Sequence, residues 1–267
     1  MVILIVLLAL IALYLFVVKG RTGHKGLAAL QGWYYAHRGL HSRGVPENSL
    51  AAFRAAKDGG YGMELDVHLM ADGNLAVLHD SSLRRTAGAD VIIEEMTERD
   101  LCNYRLEETD ELIPLLSQVL ELVDGKTPLI IELKTRRDNY GQLCQAVCEL
   151  LDGYDGAFCI ESFDPRCIAW LRKHRKDIIR GQLTENFLRS TSNLPWMAKF
   201  AMRHQFFNVC TRPDFVAYRF ADRKTLSNFL CRRIWGVQGV SWTIRRKEDF
   251  DKAVAEGWLP IFENFIP

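Results

Sequence analysis

A chain of 267 residues, 48% hydrophobic and 25% charged, carries enough apolar side chains for one large α/β core, so disorder is not its default state. A formal net charge of +1 gives no overall bias toward nucleic acid or an anionic surface. The seven cysteines (Cys102, Cys144, Cys148, Cys159, Cys167, Cys210, Cys231) are odd in number and show no C-x-x-C pair. This spacing supports neither a disulfide framework nor a zinc site, and unpaired thiols favour a reducing compartment.

In chain order, residues 2–18 (VILIVLLALIALYLFVV) come first, with no charge, followed at once by Lys19, Arg21 and Lys25. A helix over Met1–Val18 is about 27 Å long, near the ~30 Å hydrocarbon core of a bilayer. No basic region precedes it and no small-residue cleavage site follows, so a secretory signal is not indicated. The reading is a transmembrane anchor over 1–19 and a juxtamembrane linker over 20–32, with a barrel domain over 33–267. The basic residues lie only on the C-terminal side, which predicts a single-pass membrane protein with its domain in the cytoplasm.

Beyond residue 32, short apolar runs alternate with helical stretches, the pattern of βα repeats around a mostly parallel sheet. The strands are predicted at 33–37, 62–69, 74–79, 128–134, 157–163, 178–183, 206–210, 239–244 and 259–263. Helices are predicted at 48–58, 116–123 and 140–151, among others. Only Met70–Gly73 separates the second and third strands, too little for a crossover helix, so those two form a hairpin. Nine strands for eight places predict a somewhat irregular TIM-type (β/α)8 barrel with the extra strand in this hairpin. An open doubly wound sheet is the alternative, but no G-x-G-x-x-G follows the first strand.

Catalytic groups of such barrels gather at the C-terminal strand ends. Here the first strand ends in His37-Arg38-Gly39 and the third in His79-Asp80; the second carries Glu64 and Asp66, and the fourth Glu132 and Lys134. Glu64 and Asp66 are two apart, so both point to one face of their strand. Paired carboxylates there repel and lose hydration, a conflict that a divalent cation relieves. The oxygen set Glu64, Asp66 and Glu132 suits one Mg²⁺ or Ca²⁺ better than zinc. Two histidines can supply a proton acceptor and a proton donor near neutral pH. Arg38 offers a guanidinium fit to grip a phosphate.

These residues fall into a family pattern. His37-Arg38-Gly39, Pro46-Glu47-Asn48-Ser49-Leu50 and Phe53 resemble the opening of the glycerophosphodiester phosphodiesterases. So do Glu64-Leu65-Asp66-Val67, Asp72-Gly73, Val77-Leu78-His79-Asp80 with Arg85-Thr86, Ile113-Pro114-Leu115 and Ile131-Glu132-Leu133-Lys134. Ser162-Phe163 and Trp242-Thr243-Ile244 resemble its later signatures, so the likeness spans roughly residues 35–244. The resemblance implies a hydrolase in which His37 and His79 are the acid/base pair and Glu64, Asp66 and Glu132 hold the cation. It places Arg38, Lys134, Glu47, Phe163 and Trp242 on the phosphate and substrate side. A glycerol hydroxyl would attack the neighbouring phosphate and water would open the resulting cyclic ester. The chain departs from the pattern where Arg245-Arg246 follow Ile244 and where Glu263-Asn264 stand in the closing motif.

Residues 185–233 hold nine Lys/Arg against three acids, interleaved with Trp196, Phe200, Phe206, Phe207, Phe215, Tyr218 and Phe220. This composition suits an interfacial membrane face, which would make lysophospholipids substrates beside soluble glycerophosphodiesters. The other reading is a set of ordinary barrel helices; nucleic acid is not expected. Two rival functions are a silent membrane-tethered phosphodiester-binding protein and a sphingomyelinase D-like lipase.

Overall fold

A computed structural model of the chain describes residues 1–190 and 192–267. Its sheet contains β1 (Tyr35–His37), β2 (Gly62–Leu69), β3 (Leu75–Val77), β4 (Leu129–Leu133), β5 (Phe158–Ser162), β6 (Arg180–Thr184), β7 (Phe215–Arg219), β8 (Gln238–Ile244) and β9 (Trp258–Phe262). Eight of these strands run parallel in the order β1-β9-β8-β7-β6-β5-β4-β2, and pairing of β1 with β2 closes the barrel. The ninth, β3, is the hairpin strand: it lies antiparallel to the end of β2, with Val67 opposite Val77. The irregular TIM-type barrel expected from the sequence is therefore the fold, with the extra strand where the short connection requires it.

Period-two alternation splits the core in two. Tyr35, Ile130, Cys159, Leu183, Phe215, Ala217, Val240 and Ile261 fill the barrel interior. Met63, Leu65, Val67, Leu129, Ile131, Leu133 and Ile160 face outward onto helices, among them Leu116–Val123 and Tyr140–Leu151. A third cluster (Met70, Ala76, Leu78, Leu83, Ile93, Leu106) anchors the long excursion between β3 and Leu116. That excursion lies against one side of the barrel mouth and supplies residues 79–85.

Two expectations change. The run 206–210 is not a strand. Asn208–Thr211 forms one helical turn, Asn208 donating from its amide to the Val18 carbonyl at 2.9 Å. The strand is β7, five residues later, and a short apolar run gives no periodicity that separates strand from turn. Phe215, Tyr218 and Phe220, counted in the basic aromatic segment, are core residues, whereas Trp196 and Met197 are exposed.

The transmembrane anchor and the single-pass, cytoplasm-facing placement are overturned: no helix among the described residues is long and apolar enough to cross a membrane. The first helix, Val2–Val18, has 17 residues, or about 26 Å, and falls short of the hydrocarbon core. Its last turns belong to the domain. Val18 is fully buried, Trp235 donates to the Leu15 carbonyl, and Arg212 donates to the carbonyls of Phe16 and Lys19. Residues 20–32 likewise pack onto the barrel: Arg21 pairs with Asp214, Leu30 enters the interior cluster, and the Tyr35 hydroxyl donates to the Leu30 carbonyl.

Candidate active site

The C-terminal end of β1 makes a sharp turn, with Arg38 at φ 54° and Gly39 at φ 77°. A Cβ on Gly39 would lie 2.8 Å from the Ala52 carbonyl carbon, so only glycine fits this close approach. The turn lets the Arg38 amide donate to Glu64 at 3.1 Å and sends its side chain to Glu47 at 2.9 Å, with Nε 3.4 Å from Asp66. Asn48, fully buried, donates to Asp66 at 2.9 Å.

The parallel register aligns the acids. His37 is paired with Glu64, and Asp66 with Glu132, which in turn is paired with Glu161 on β5. Ligand atoms of Glu64, Asp66 and Glu132 all lie within 4.8 Å of one another. Lys134 reaches both Asp66 (2.9 Å) and Glu132 (2.7 Å). Burial opposes ionisation of Asp66, yet Lys134, His79 and Arg38 outweigh it and hold the carboxyl well below its usual range. Burial and the neighbouring carboxylates push Glu64 well up, and burial with Asp66 takes Glu132 to about 7. Carboxyls raised in this way hold protons that a divalent cation would displace, so the residues present fit the cation expected from the sequence.

The two histidines face this cluster, each backed by a carboxylate. The Nδ1 of His37 donates to Glu263 while its Nε2 lies 3.9 Å from Glu64. The Nδ1 of His79 donates to Asp80 at 2.7 Å. Accepting carboxylates on the Nδ1 side fix tautomers that leave both Nε2 atoms free. Burial lowers the pKa of both rings, and with Lys134 and Arg38 nearby it brings His79 to about 4. Asp80 continues into a chain of ion pairs, Asp80–Arg85 (2.6 Å) and Arg85–Glu47 (2.6 Å), that ends on Arg38.

His37, Arg38, Glu64, His79, Glu132, Lys134 and Glu161 line one side of a cavity of about 170 Å³ whose other side is formed by Phe163, Leu183, Trp242 and Ile261. The Phe163 and Trp242 rings meet edge to face at 5.4 Å, and Trp242 donates to the Ala217 carbonyl. A larger groove of about 720 Å³ lies between the helix Leu50–Asp58 and residues 110–115, but no histidine lines it. Every residue singled out from the sequence thus lies at one mouth of the barrel: His37, Arg38, Glu47, Glu64, Asp66, His79, Glu132, Lys134, Phe163 and Trp242.

The glycerophosphoryl diester phosphodiesterase family model matches residues 37–266. The chain belongs to that family. A glycerophosphodiester phosphodiesterase of Caldanaerobacter subterraneus is 28% identical over 237 residues, 83% of this chain and 89% of that protein. A lysophospholipase D of Rattus norvegicus is 34% identical over 134 residues, 45% of this chain and 41% of that protein. Among solved structures, an Oleispira antarctica phosphodiesterase in complex with the product sn-glycerol-3-phosphate superposes with a TM-score of 0.73. It shares 21% identity and covers 91% of this chain and 95% of its own. The Thermotoga maritima glycerophosphodiester phosphodiesterase gives 0.66 at 26% identity, covering 86% and 93%.

Sequence reasoning missed three members of this phosphodiesterase site. Glu263 holds His37, and Arg245 holds Glu263. Glu161, 1% exposed, lines the cavity beside Glu132. Both acids obey the rule that exposed His37 and Glu132, a charged group at the end of an apolar strand. Glu263 stands in the closing motif, where the sequence marks only a departure from the family pattern.

Proposed function

We propose that this phosphodiesterase hydrolyses glycerophosphodiesters to an alcohol and glycerol 3-phosphate, using one divalent cation, Mg²⁺ or Ca²⁺, held by Glu64, Asp66 and Glu132. The supporting observation is the convergence of three buried carboxylates, Lys134, Arg38 and two carboxylate-backed histidines on one cavity. When bound, the cation would withdraw electron density from the phosphoryl oxygens and acidify a nearby hydroxyl.

The chain's own groups account for the remaining chemistry. Arg38 and Lys134 bind the phosphate oxygens, and Glu47, held by Arg85, keeps Arg38 aimed at them. One histidine takes the proton from the glycerol hydroxyl next to the phosphate as its oxygen bonds to phosphorus. The phosphorus–oxygen bond to the head group breaks, and the other histidine donates a proton to the departing alkoxide. The roles then reverse: a water molecule loses its proton, attacks phosphorus and opens the ring to glycerol 3-phosphate. Glu263 and Asp80 set the tautomers. Glu263→Gln, which can present its amide N–H to Nδ1, is expected to lower kcat roughly tenfold or more with little change in KM. Steady-state kinetics on glycerophosphocholine check this, and an unchanged kcat would remove Glu263 from the mechanism.

Lysophospholipids are a second substrate class, favoured by the apolar wall of Phe163, Leu183, Trp242 and Ile261. The silent binding-protein reading has no such support, since both histidines and all three carboxylates are in place, and the family match over residues 37–266 favours a glycerophosphodiester phosphodiesterase over a sphingomyelinase D-like lipase. Turnover of glycerophosphocholine and lysophosphatidylcholine before and after chelation tests the proposal. Chelator is expected to abolish turnover, and Mg²⁺ or Ca²⁺ to restore it. Full activity in chelator would exclude the cation, and a preference of tenfold or more for either substrate (roughly 1.4 kcal/mol) would assign the class.

A further inference from the structure

Glu161 has no counterpart in the mechanism above. It sits on β5 in register with Glu132 on β4, and Glu132 is in register with Asp66 on β2, so three neighbouring strands carry an acid at the same level of the barrel. Residues paired in register share a face, so Glu161 points with Asp66 and Glu132 toward the cavity, which it lines. It is 1% exposed, and its Oε2 has no hydrogen-bond partner among the described residues. A buried carboxyl without a donor costs several kcal/mol, so folding alone gives no reason to keep a glutamate there.

The local charge shows what such a group is suited to. Glu64, Asp66, Glu132 and Glu161 are four carboxylates, and the cations reaching into them are Lys134 and Arg38. A fourth carboxyl beside the trio makes an oxygen-only group of the kind that hard divalent cations take.

We infer that Glu161 is a fourth carboxylate ligand of the cation and gives the site a preference for Ca²⁺ over Mg²⁺. The inference rests on the proposed cation site of Glu64, Asp66 and Glu132. Calcium takes about 6–8 oxygen ligands in flexible geometry, and its affinity rises with ligand charge. Magnesium demands a near-octahedral shell and keeps several waters, usually taking only one or two carboxylates. The three torsions of the glutamate side chain let Glu161 reach a shared ion from the next strand, outside the tight trio.

Calorimetric titration of the substrate-free full chain with CaCl₂ and with MgCl₂ tests this, comparing wild type with Glu161→Gln, Glu161→Asp and Glu132→Gln. Wild type is expected to bind Ca²⁺ more tightly than Mg²⁺. Glu161→Gln is expected to weaken Ca²⁺ about tenfold or more and Mg²⁺ much less, narrowing the preference. Glu161→Asp, which keeps the charge on a shorter arm, is expected to fall between. Thermal melts without metal verify folding, and Glu161→Gln should melt no lower than wild type because it removes an unpaired buried carboxyl. Unchanged Ca²⁺ affinity in folded Glu161→Gln, with Glu132→Gln impaired, overturns the inference and leaves the three-carboxylate site standing. A wild type that binds neither ion overturns both.

Discussion

His37→Ala is expected to lower kcat for glycerophosphocholine by about 10²–10⁴-fold, the usual contribution of a positioned acid or base. The variant should fold like wild type. His37 stands at the cavity rather than in the apolar core, and Glu263 keeps Arg245 as a partner when the imidazole is gone. His37→Asn and His37→Gln keep part of the hydrogen bonding but cannot carry a proton between oxygens, so neither should restore the rate. His79→Ala should behave alike, because its ring lines the same cavity, backed by Asp80. Rates within threefold of wild type in either alanine variant would remove that histidine from proton transfer.

The second large effect concerns stability. Lys134 joins Asp66 to Glu132 inside the barrel mouth, and these pairs depress Asp66 and raise Lys134 itself. Lys134→Met leaves both carboxylates buried without that cation. Breaking a buried pair from one side costs about 3–5 kcal/mol. At about 2–4 °C per kcal/mol for a domain of this size, the metal-free melting temperature should fall by roughly 6–20 °C. Excess Ca²⁺ should recover much of the loss by taking over the neutralising role. The double variant Lys134→Met/Asp66→Asn should be less destabilised than Lys134→Met alone, since one orphaned charge is gone. Melts in chelator that match wild type would mean that water, rather than Lys134, solvates these acids.

Much of this architecture can be read from the chain because barrel strands state their own limits. The predicted 62–69 strand is β2 residue for residue, and the predicted helices 116–123 and 140–151 have the observed bounds. In each, apolar spacing and flanking turn residues agree. The site could be read because an ionisable residue at the end of an apolar strand conflicts with burial, and a conflict of that kind needs a partner. The same physics explains the failures. Phe206-Phe207-Asn208-Val209-Cys210 and Phe215-Val216-Ala217-Tyr218-Arg219 are both short apolar runs, and only tertiary pairing decides which joins the sheet. The apolar run at the N-terminus reads by composition as a membrane span. That its last turns are tied to Asn208, Arg212 and Trp235, about 200 residues away in sequence, is invisible to local pattern. Glu161 and Glu263 follow the same strand-end rule, but only the register with Glu132 and the bond to His37 show which groups they stand beside.

The groups around this cavity are expected to cut the diester on the head-group side of phosphorus. Phosphorus-31 NMR of glycerophosphocholine incubated with the full chain and Ca²⁺ or Mg²⁺ tests it most directly. The expected spectrum converts the diester resonance to glycerol 3-phosphate with release of choline, and the conversion disappears with chelator and in His37→Ala. Accumulation of phosphocholine, or an unchanged diester in a folded, cation-bound protein, would rule out cleavage on the head-group side at this cavity.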